Sequence, residues 1–139
     1  MPVYEHRGAV PRIDPTATVA PTAVVSGDVT VGPGTRILHH VVISAEDGPV
    51  TLGADVVVME HALIRGRAGH PCTIGDAVMI GPHAHVNGSA VGDGAFLATG
   101  SSVFPGSRIG AGSEVRDTMP SIMRWQSEFY RAHAENREI

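Results

Sequence analysis

The large hydrophobic positions of this chain recur every six residues. Between Ile74 and Val103 an aliphatic residue recurs at intervals of six residues, with one interval of five. A similar period extends back to Val19 and forward to Val115. This spacing fits neither an α-helix nor simple strand alternation. The recurring positions are Val19, Val25, Val31, Ile37, Ile43, Leu52, Val58, Ile64, Ile74, Ile80, Val86, Val91, Leu97, Val103, Ile109 and Val115. Most of the chain is therefore predicted to be a repeat.

A second row of residues accompanies the first. The position two before each aliphatic is small or β-branched, from Ala17 to Ser113. Because residues two apart in a strand share a face, each repeat puts one large and one small side chain into a narrow core and then turns. Three turns close a triangular coil, and successive coils stack about 4.8 Å apart. The pattern predicts an all-β fold, a parallel β-helix of about five coils.

Three segments follow from the pattern. Residues 1–16 are expected to be an extended N-terminal cap, residues 17–116 the β-helix, and residues 117–139 an amphipathic C-terminal α-helix. The helix prediction rests on the spacing of Ile122, Trp125, Phe129 and Tyr130. The two longest steps, Ile43 to Leu52 and Ile64 to Ile74, fall at one corner and predict a double loop, a common place for functional residues.

Composition narrows the class of protein. A chain of 139 residues with 17 Gly and 4% aromatic residues suits one domain with a thin core and many turns. The net charge of −4 gives no reason to expect a nucleic acid or membrane partner. Cys72 lies in the small inward row, so a buried core thiol is expected rather than a nucleophile. The N-terminus has no apolar run typical of a signal peptide, and the cytoplasm is the expected compartment.

The order of the irregular steps is specific. A nine-residue step, a longer step at the same corner one coil later, and then IGDAVMIGPHAHVNGSAVGD with its five-residue step resemble the γ-class carbonic anhydrases. The similarity covers roughly Val19 to Val115. It implies a left-handed β-helix that assembles as a homotrimer. The family holds zinc between subunits through three His ligands and leaves the fourth position open for hydroxide.

The positions that match those zinc ligands carry other residues. They are Arg65, Pro82 and Asn87, while Ser44, Glu46 and Met59 match the Arg, Asp and Gln that the family places nearby. A guanidinium, a proline and a carboxamide cannot replace imidazole on zinc. The resemblance therefore implies that the inherited metal site is absent, and no cofactor is predicted there.

Histidines occur at other positions of the repeat. His40, His61 and His83 each follow an aliphatic of one corner column by three residues and should stack in successive coils, where a left-handed backbone is the simplest explanation. His85 precedes Val86 and points outward. A relocated site for zinc or another divalent metal, joining His61, His83 and His85 across subunits, is the alternative hypothesis.

The outward residues beside this corner define the candidate site. Glu60, Arg65, His83, His85 and Asn87 should line the groove between subunits, either as an interface network or as a pocket for a small carboxylate or bicarbonate, since Arg binds planar anions bidentately. A hexapeptide acyltransferase with a loop histidine such as His70 as general base is a third possibility, although no extended basic site for coenzyme A is evident. No catalytic residue is assigned.

Overall fold

The computed structural model describes residues 2–115. These residues form sixteen short strands, and no helix long and apolar enough for a membrane crossing is found among them. The predicted C-terminal helix lies outside the described residues. In chain order the strands are β1 (Val3–Tyr4), β2 (Arg12–Ile13), β3 (Thr18–Val19), β4 (Val24–Val31), β5 (Arg36–Ile37), β6 (Val42–Leu52), β7 (Val57–Val58), β8 (Leu63–Arg65), β9 (Cys72–Ile74), β10 (Met79–Ile80), β11 (His85–Asn87), β12 (Ala90–Val91), β13 (Phe96–Leu97), β14 (Ser102–Val103), β15 (Arg108–Ile109) and β16 (Glu114–Val115).

The strands pair in parallel and wind into a left-handed β-helix with three faces, which confirms the predicted fold class. The first face contains β1, the first halves of β4 and β6, then β8, β11 and β14. The second face contains β2, the second halves of β4 and β6, then β9, β12 and β15. The third face contains β3, β5, β7, β10, β13 and β16.

The strand register predicted from the six-residue period is confirmed. Ile43 pairs with Val25 in the coil before it and with Ile64 in the coil after it, and Ile64 pairs in turn with Val86. All four side chains are fully buried. The small row is buried from Ala23 to Ala95. One of its polar members, Thr35, donates its hydroxyl to the Gly53 carbonyl at 2.7 Å, so burial leaves that hydroxyl satisfied.

The N-terminal segment takes part in the winding instead of only capping it. Val3 pairs with Val25 and Ile13 pairs with Val31, so residues 3–13 supply two sides of an additional coil. The described residues therefore complete six coils, where about five were expected. The six-residue period does not reveal this coil because a loop separates Val3 from Ile13. Pairing with residues 3–13 stabilises β4, because its strand edge would otherwise be open.

Loops project from the corner between the first and second faces. They are residues 5–10 of the first coil, the inserted residues 46–49 within β6 of the third coil, and residues 66–71 of the fourth coil. His6 Nδ1 lies 3.2 Å from Glu46, and Arg67 Nε lies 3.3 Å from Asp47, so ion pairs and hydrogen bonds join each loop to the next. The backbones of the projecting segments in the third and fourth coils also lie close together, because a Cβ at Gly66 would overlap the carbonyl of Gly48. The predicted double loop is thus part of a braced set of three.

Candidate functional site

The candidate site is built on the first face. Arg65 on β8 lies between Ser44 on β6 and Asn87 on β11 in the parallel register. Each of these residues follows an inward aliphatic, so alternation along the strand turns its side chain outward. The sheet spacing brings neighbouring members of the column to about 4.8 Å, within reach of one small ligand.

Arg65 carries a charge that no other residue of the described range, 2–115, neutralises. The ion pairs among residues 2–115 are His6–Glu46, Arg12–Asp28 and Arg67–Asp47, and none involves Arg65. Glu60, which the sequence placed at the adjacent corner, forms no ion pair within the described part of the chain either. An Arg65–Glu60 pair is therefore not made inside one subunit.

Two polar atoms beside Arg65 are buried and have no hydrogen-bond partner among residues 2–115. They are Asn87 Oδ1, on the strand next to Arg65, and His85 Nε2, two residues earlier on the same strand. A buried polar atom left without a partner costs about 1–3 kcal/mol. This cost would be removed by a ligand or a neighbouring subunit that supplied the missing hydrogen bonds.

The electrostatics of His85 reflect the same surroundings. Burial lowers the pKa of His85 below its ordinary value, and the positive charge of Arg65 lowers that pKa further. Its register neighbours, Leu63 and Ser102, carry no charge that would offset this effect. The imidazole of His85 is therefore held in its neutral form at neutral pH.

The stacked histidines lie at the corner leading into the first face. His40, His61 and His83 all have left-handed backbones, with φ of 61°, 64° and 59°, which confirms the backbone interpretation. The rings of His40 and His61 are 5.0 Å apart and those of His61 and His83 are 4.9 Å apart. The planes of the latter pair differ by 2°, so their nitrogen lone pairs lie in parallel planes and do not converge on one point.

The residues of this chain do not fit the zinc site that the resemblance implies. Arg65 is permanently protonated, Pro82 has no side-chain donor atom, and the carboxamide of Asn87 is a poor zinc ligand. Across residues 2–115, no three His, Cys, Asp or Glu side chains come together as a possible metal site. The alternative set of His61, His83 and His85 therefore does not form a metal site within a single chain.

Of the three other positions matched by the resemblance, Ser44 and Glu46 contact each other. Ser44 Oγ donates to Glu46 Oε2 at 3.3 Å, and Glu46 is the carboxylate next to His6. Met59 lies on the third face, where it is 6% exposed and packs with apolar neighbours.

Cys72 is fully buried, and burial raises the pKa of its thiol to about 11, which confirms the expectation of an inert core residue.

His70 lines a separate cleft that the sequence did not predict. The cleft has a volume of about 320 Å³ and lies beside the 66–71 loop, with Thr73 and Arg108 of the second face on its walls. A Cβ built at Gly106 would lie 3.4 Å from His70 Cε1, so the imidazole covers that glycine closely. His70 therefore lies against the second face. The six-residue period predicts that Thr73 and Arg108 lie in one column, but it does not predict the path of the 66–71 loop. The sequence therefore contains no sign of the cleft.

Comparison with known proteins agrees with the fold and with the resemblance. No protein-family model matches the chain. It is 32% identical over 130 residues to the mitochondrial gamma carbonic anhydrase 1 of Arabidopsis thaliana, an alignment that covers 83% of this chain and 47% of the relative. It is 30% identical over 115 residues to the carnitine operon protein CaiE of Escherichia coli strain K12, covering 83% of this chain and 59% of the relative. The chain thus spans about half the length of these curated relatives.

A solved structure extends the comparison to the fold. The hexapeptide transferase family protein from Anaplasma phagocytophilum matches with a TM-score of 0.78 and 20% identity, over 94% of each chain. At that identity the likeness concerns the fold. Sequence and structure together place this chain among the γ-carbonic anhydrase-like hexapeptide-repeat proteins.

Proposed function

We propose that this protein is a homotrimer whose inter-subunit groove binds a small anion through Arg65 instead of zinc. The observation that carries the proposal is the guanidinium of Arg65, which has no ion-pair partner among residues 2–115. The groove includes Glu60, Arg65, His83, His85 and Asn87. Bicarbonate or another small carboxylate is the expected ligand class.

The donors and acceptors of the site suit such a ligand. A guanidinium binds the two oxygens of a carboxylate through two parallel hydrogen bonds. Asn87 Oδ1, buried and without a partner, can accept a hydrogen bond from the hydroxyl of bicarbonate or of a hydroxy acid. His85 Nε2 is also buried without a partner, and a neutral imidazole can donate or accept there.

The first face also has the character of a subunit contact. Val42 and Phe104 point outward on this face and are 38% and 69% exposed. Exposed apolar side chains around unpaired polar groups are typical of an interaction surface. Together with the resemblance, they support a homotrimer built through the face that carries Arg65.

The proposal includes the loss of the inherited chemistry. With no imidazole at positions 65, 82 and 87, we expect neither zinc in the family geometry nor hydration of carbon dioxide. A relocated metal site using His61, His83 and His85 would require a second subunit. Metal analysis of protein purified without a His tag separates these cases, because stoichiometric metal that is lost in His85→Ala would support the relocated site.

The anion site is tested by calorimetric titration with bicarbonate and acetate. Arg65→Ala should weaken binding by about 10- to 100-fold, because a hydrogen bond to a charged group contributes about 1.5–3 kcal/mol. Arg12→Ala is the matched control, since Arg12 also points outward from a strand but is paired with Asp28 at 2.8 Å. Binding that is unchanged in Arg65→Ala would contradict the proposal.

A second candidate function, acyl transfer, is favoured by the cleft at His70. This cleft combines an imidazole with Thr73, Ser107 and Arg108, and Arg108 forms no ion pair among residues 2–115. His70 could act there as a general base that takes a proton from a nucleophile attacking an acyl thioester.

Titration with acetyl-coenzyme A and a thiol-release assay distinguish the two functions. Under the second candidate, thiol release depends on His70 and is lost in His70→Ala. The control is His40→Ala, because His40 is equally an exposed histidine but lies in the corner stack. If acetyl-coenzyme A neither binds nor reacts, acyl transfer is excluded and the anion site stands on its own test.

A further inference from the structure

Arg65 is flanked on the first face by two hydrogen-bond acceptors. Its register neighbours are Ser44 in the coil before and Asn87 in the coil after, and all three side chains point outward. The sheet spacing sets these neighbours about 4.8 Å to either side of Arg65. What the two neighbours can donate or accept therefore decides which anion fits beside the guanidinium.

On one side the acceptor is the carboxamide oxygen of Asn87. This atom, Oδ1, is buried and has no hydrogen-bond partner among residues 2–115. The hydroxyl of Ser89 does not supply one, because it donates to the backbone carbonyls of Asn87 and Phe104 at 2.8 and 2.9 Å. A carboxylate oxygen cannot donate a hydrogen bond, so a carboxylate alone beside Arg65 would leave this acceptor unsatisfied.

On the other side the hydroxyl of Ser44 has its proton engaged elsewhere. Ser44 Oγ donates to Glu46 Oε2 at 3.3 Å. The other carboxylate oxygen of Glu46 lies 3.2 Å from His6 Nδ1, so a contact from the N-terminal loop helps to hold that carboxylate in place. Ser44 then has only lone pairs left for a ligand, and it offers no donor to a bound carboxylate.

The column of Ser44, Arg65 and Asn87 has one permanent positive charge. Arg65 supplies it, whereas Arg67 in the adjoining loop is paired with Asp47 at 3.3 Å. Burial and the charge of Arg65 lower the pKa of His85, which keeps its imidazole neutral at neutral pH. The charge of the column therefore matches a ligand with a single carboxylate.

We propose that the anion bound at Arg65 is a 2-hydroxy acid, a monocarboxylate with a hydroxyl on the carbon next to its carboxylate. This inference rests on the proposed anion site. The carboxylate takes two parallel hydrogen bonds from the guanidinium of Arg65. The hydroxyl donates to Asn87 Oδ1, so the acceptor that a simple carboxylate leaves unsatisfied gains its partner.

The strand spacing distinguishes a 2-hydroxy acid from bicarbonate. The relevant direction is the axis from the guanidinium through the carboxylate carbon. Because a hydrogen bond spans about 2.8 Å and the next strand lies about 4.8 Å away, the donor oxygen must lie about 2 Å to the side of that axis. In a 2-hydroxy acid the extra carbon displaces the hydroxyl sideways. In bicarbonate the hydroxyl is bonded to the carboxyl carbon itself, and it lies on the axis when the other two oxygens contact Arg65.

Glycolate and acetate form the test pair, since they differ only by the 2-hydroxyl. Calorimetric titration of the unmodified protein should show glycolate binding about 10-fold more tightly than acetate or bicarbonate, because only glycolate satisfies the buried acceptor. Asn87→Leu removes that acceptor at similar size, so it should abolish the preference and retain acetate binding. Thr51→Leu, at an exposed outward position of the second face, is the matched control and should keep the preference.

The outcomes separate this inference from the site on which it rests. Equal affinities for the three anions, all weakened in Arg65→Ala, would overturn the 2-hydroxy acid and leave the anion site intact. A preference for glycolate that persists in Asn87→Leu would also contradict the inference. If none of the anions binds, the anion site itself is wrong and the inference falls with it. If Asn87→Leu fails to fold by circular dichroism, Asn87→Ala makes the same test, and the comparison of anions in the unmodified protein needs no variant.

Discussion

At the scale of single residues, His85 shows how position controls chemistry. It is one residue from the inward Val86, and it lies partly covered next to Leu63 with the charge of Arg65 close by. Burial and that charge both oppose protonation, and both lower the pKa of His85. The residue is therefore a neutral hydrogen-bonding group in the folded protein, although its unfolded pKa is near 6.5.

The lowered pKa of His85 predicts that it makes folding less favourable in acid. The folded pKa of His85 lies below the unfolded value of 6.5, so the unfolded chain binds more protons than the folded chain as the pH falls. The free energy of unfolding therefore decreases as the pH falls from 6.5 through the folded pKa of His85. Urea denaturation at pH 8 and pH 5 should therefore show a smaller acid-induced loss in His85→Gln than in the unmodified protein. Equal losses in the two proteins would contradict this account.

At the scale of the structural element, the corners of the coils restrict the backbone more than the faces do. The column of His40, His61 and His83 continues at Gly100, which also has a positive φ of 72°. Glycine adopts this conformation without steric cost, whereas a Cβ crowds the neighbouring carbonyl. Histidine at these corners is thus tolerated at a small cost, and ring stacking accompanies the backbone geometry.

This view predicts that two substitutions at His83 differ in their effect on stability. His83→Gly should leave the free energy of unfolding nearly unchanged, while His83→Val should lower it by about 1–2 kcal/mol, because a β-branched side chain strongly disfavours a left-handed backbone. Thermal or urea denaturation measures both. If His83→Gly were as destabilising as His83→Val, the imidazole stack itself, and not the backbone, would be the stabilising feature.

At the scale of the whole molecule, the three faces differ in what they leave unsatisfied. The second face is mainly polar, with Thr30, Thr51 and Thr73 in one outward column. The third face carries an apolar cluster in which Val57, Met79 and Phe96 are 2%, 5% and 8% exposed. The first face combines exposed Val42 with Arg65 and two buried polar atoms that find no partner among residues 2–115, so it is the face that we expect a neighbouring subunit to complete.

Light scattering should therefore report a particle of three times the 14.5 kDa chain mass at micromolar concentration. Leu63→Glu, an outward change beside Arg65 and His85, should shift the particle towards the monomer because it introduces a charge at the proposed subunit contact. Thr51→Glu on the second face should not. A monomeric unmodified protein would remove the cross-subunit groove and with it the anion site in its proposed form.

The sequence predicts much of the site but not its surroundings. The six-residue period predicts the column of Ser44, Arg65 and Asn87, because each residue comes directly after an inward aliphatic in successive coils. The position of His70 over Gly106 does not follow, because the 66–71 loop departs from the repeat and its path depends on contacts with other loops.

The amino-acid sequence by itself determined which side chains face inward, which coil neighbour each one meets and where the backbone turns left-handed, because these properties repeat locally every six residues. Only the tertiary structure decided that residues 3–13 complete a sixth coil and that His70 closes a cleft with Arg108. These two features depend on contacts between segments far apart in the chain, and a local repeat carries no information about them.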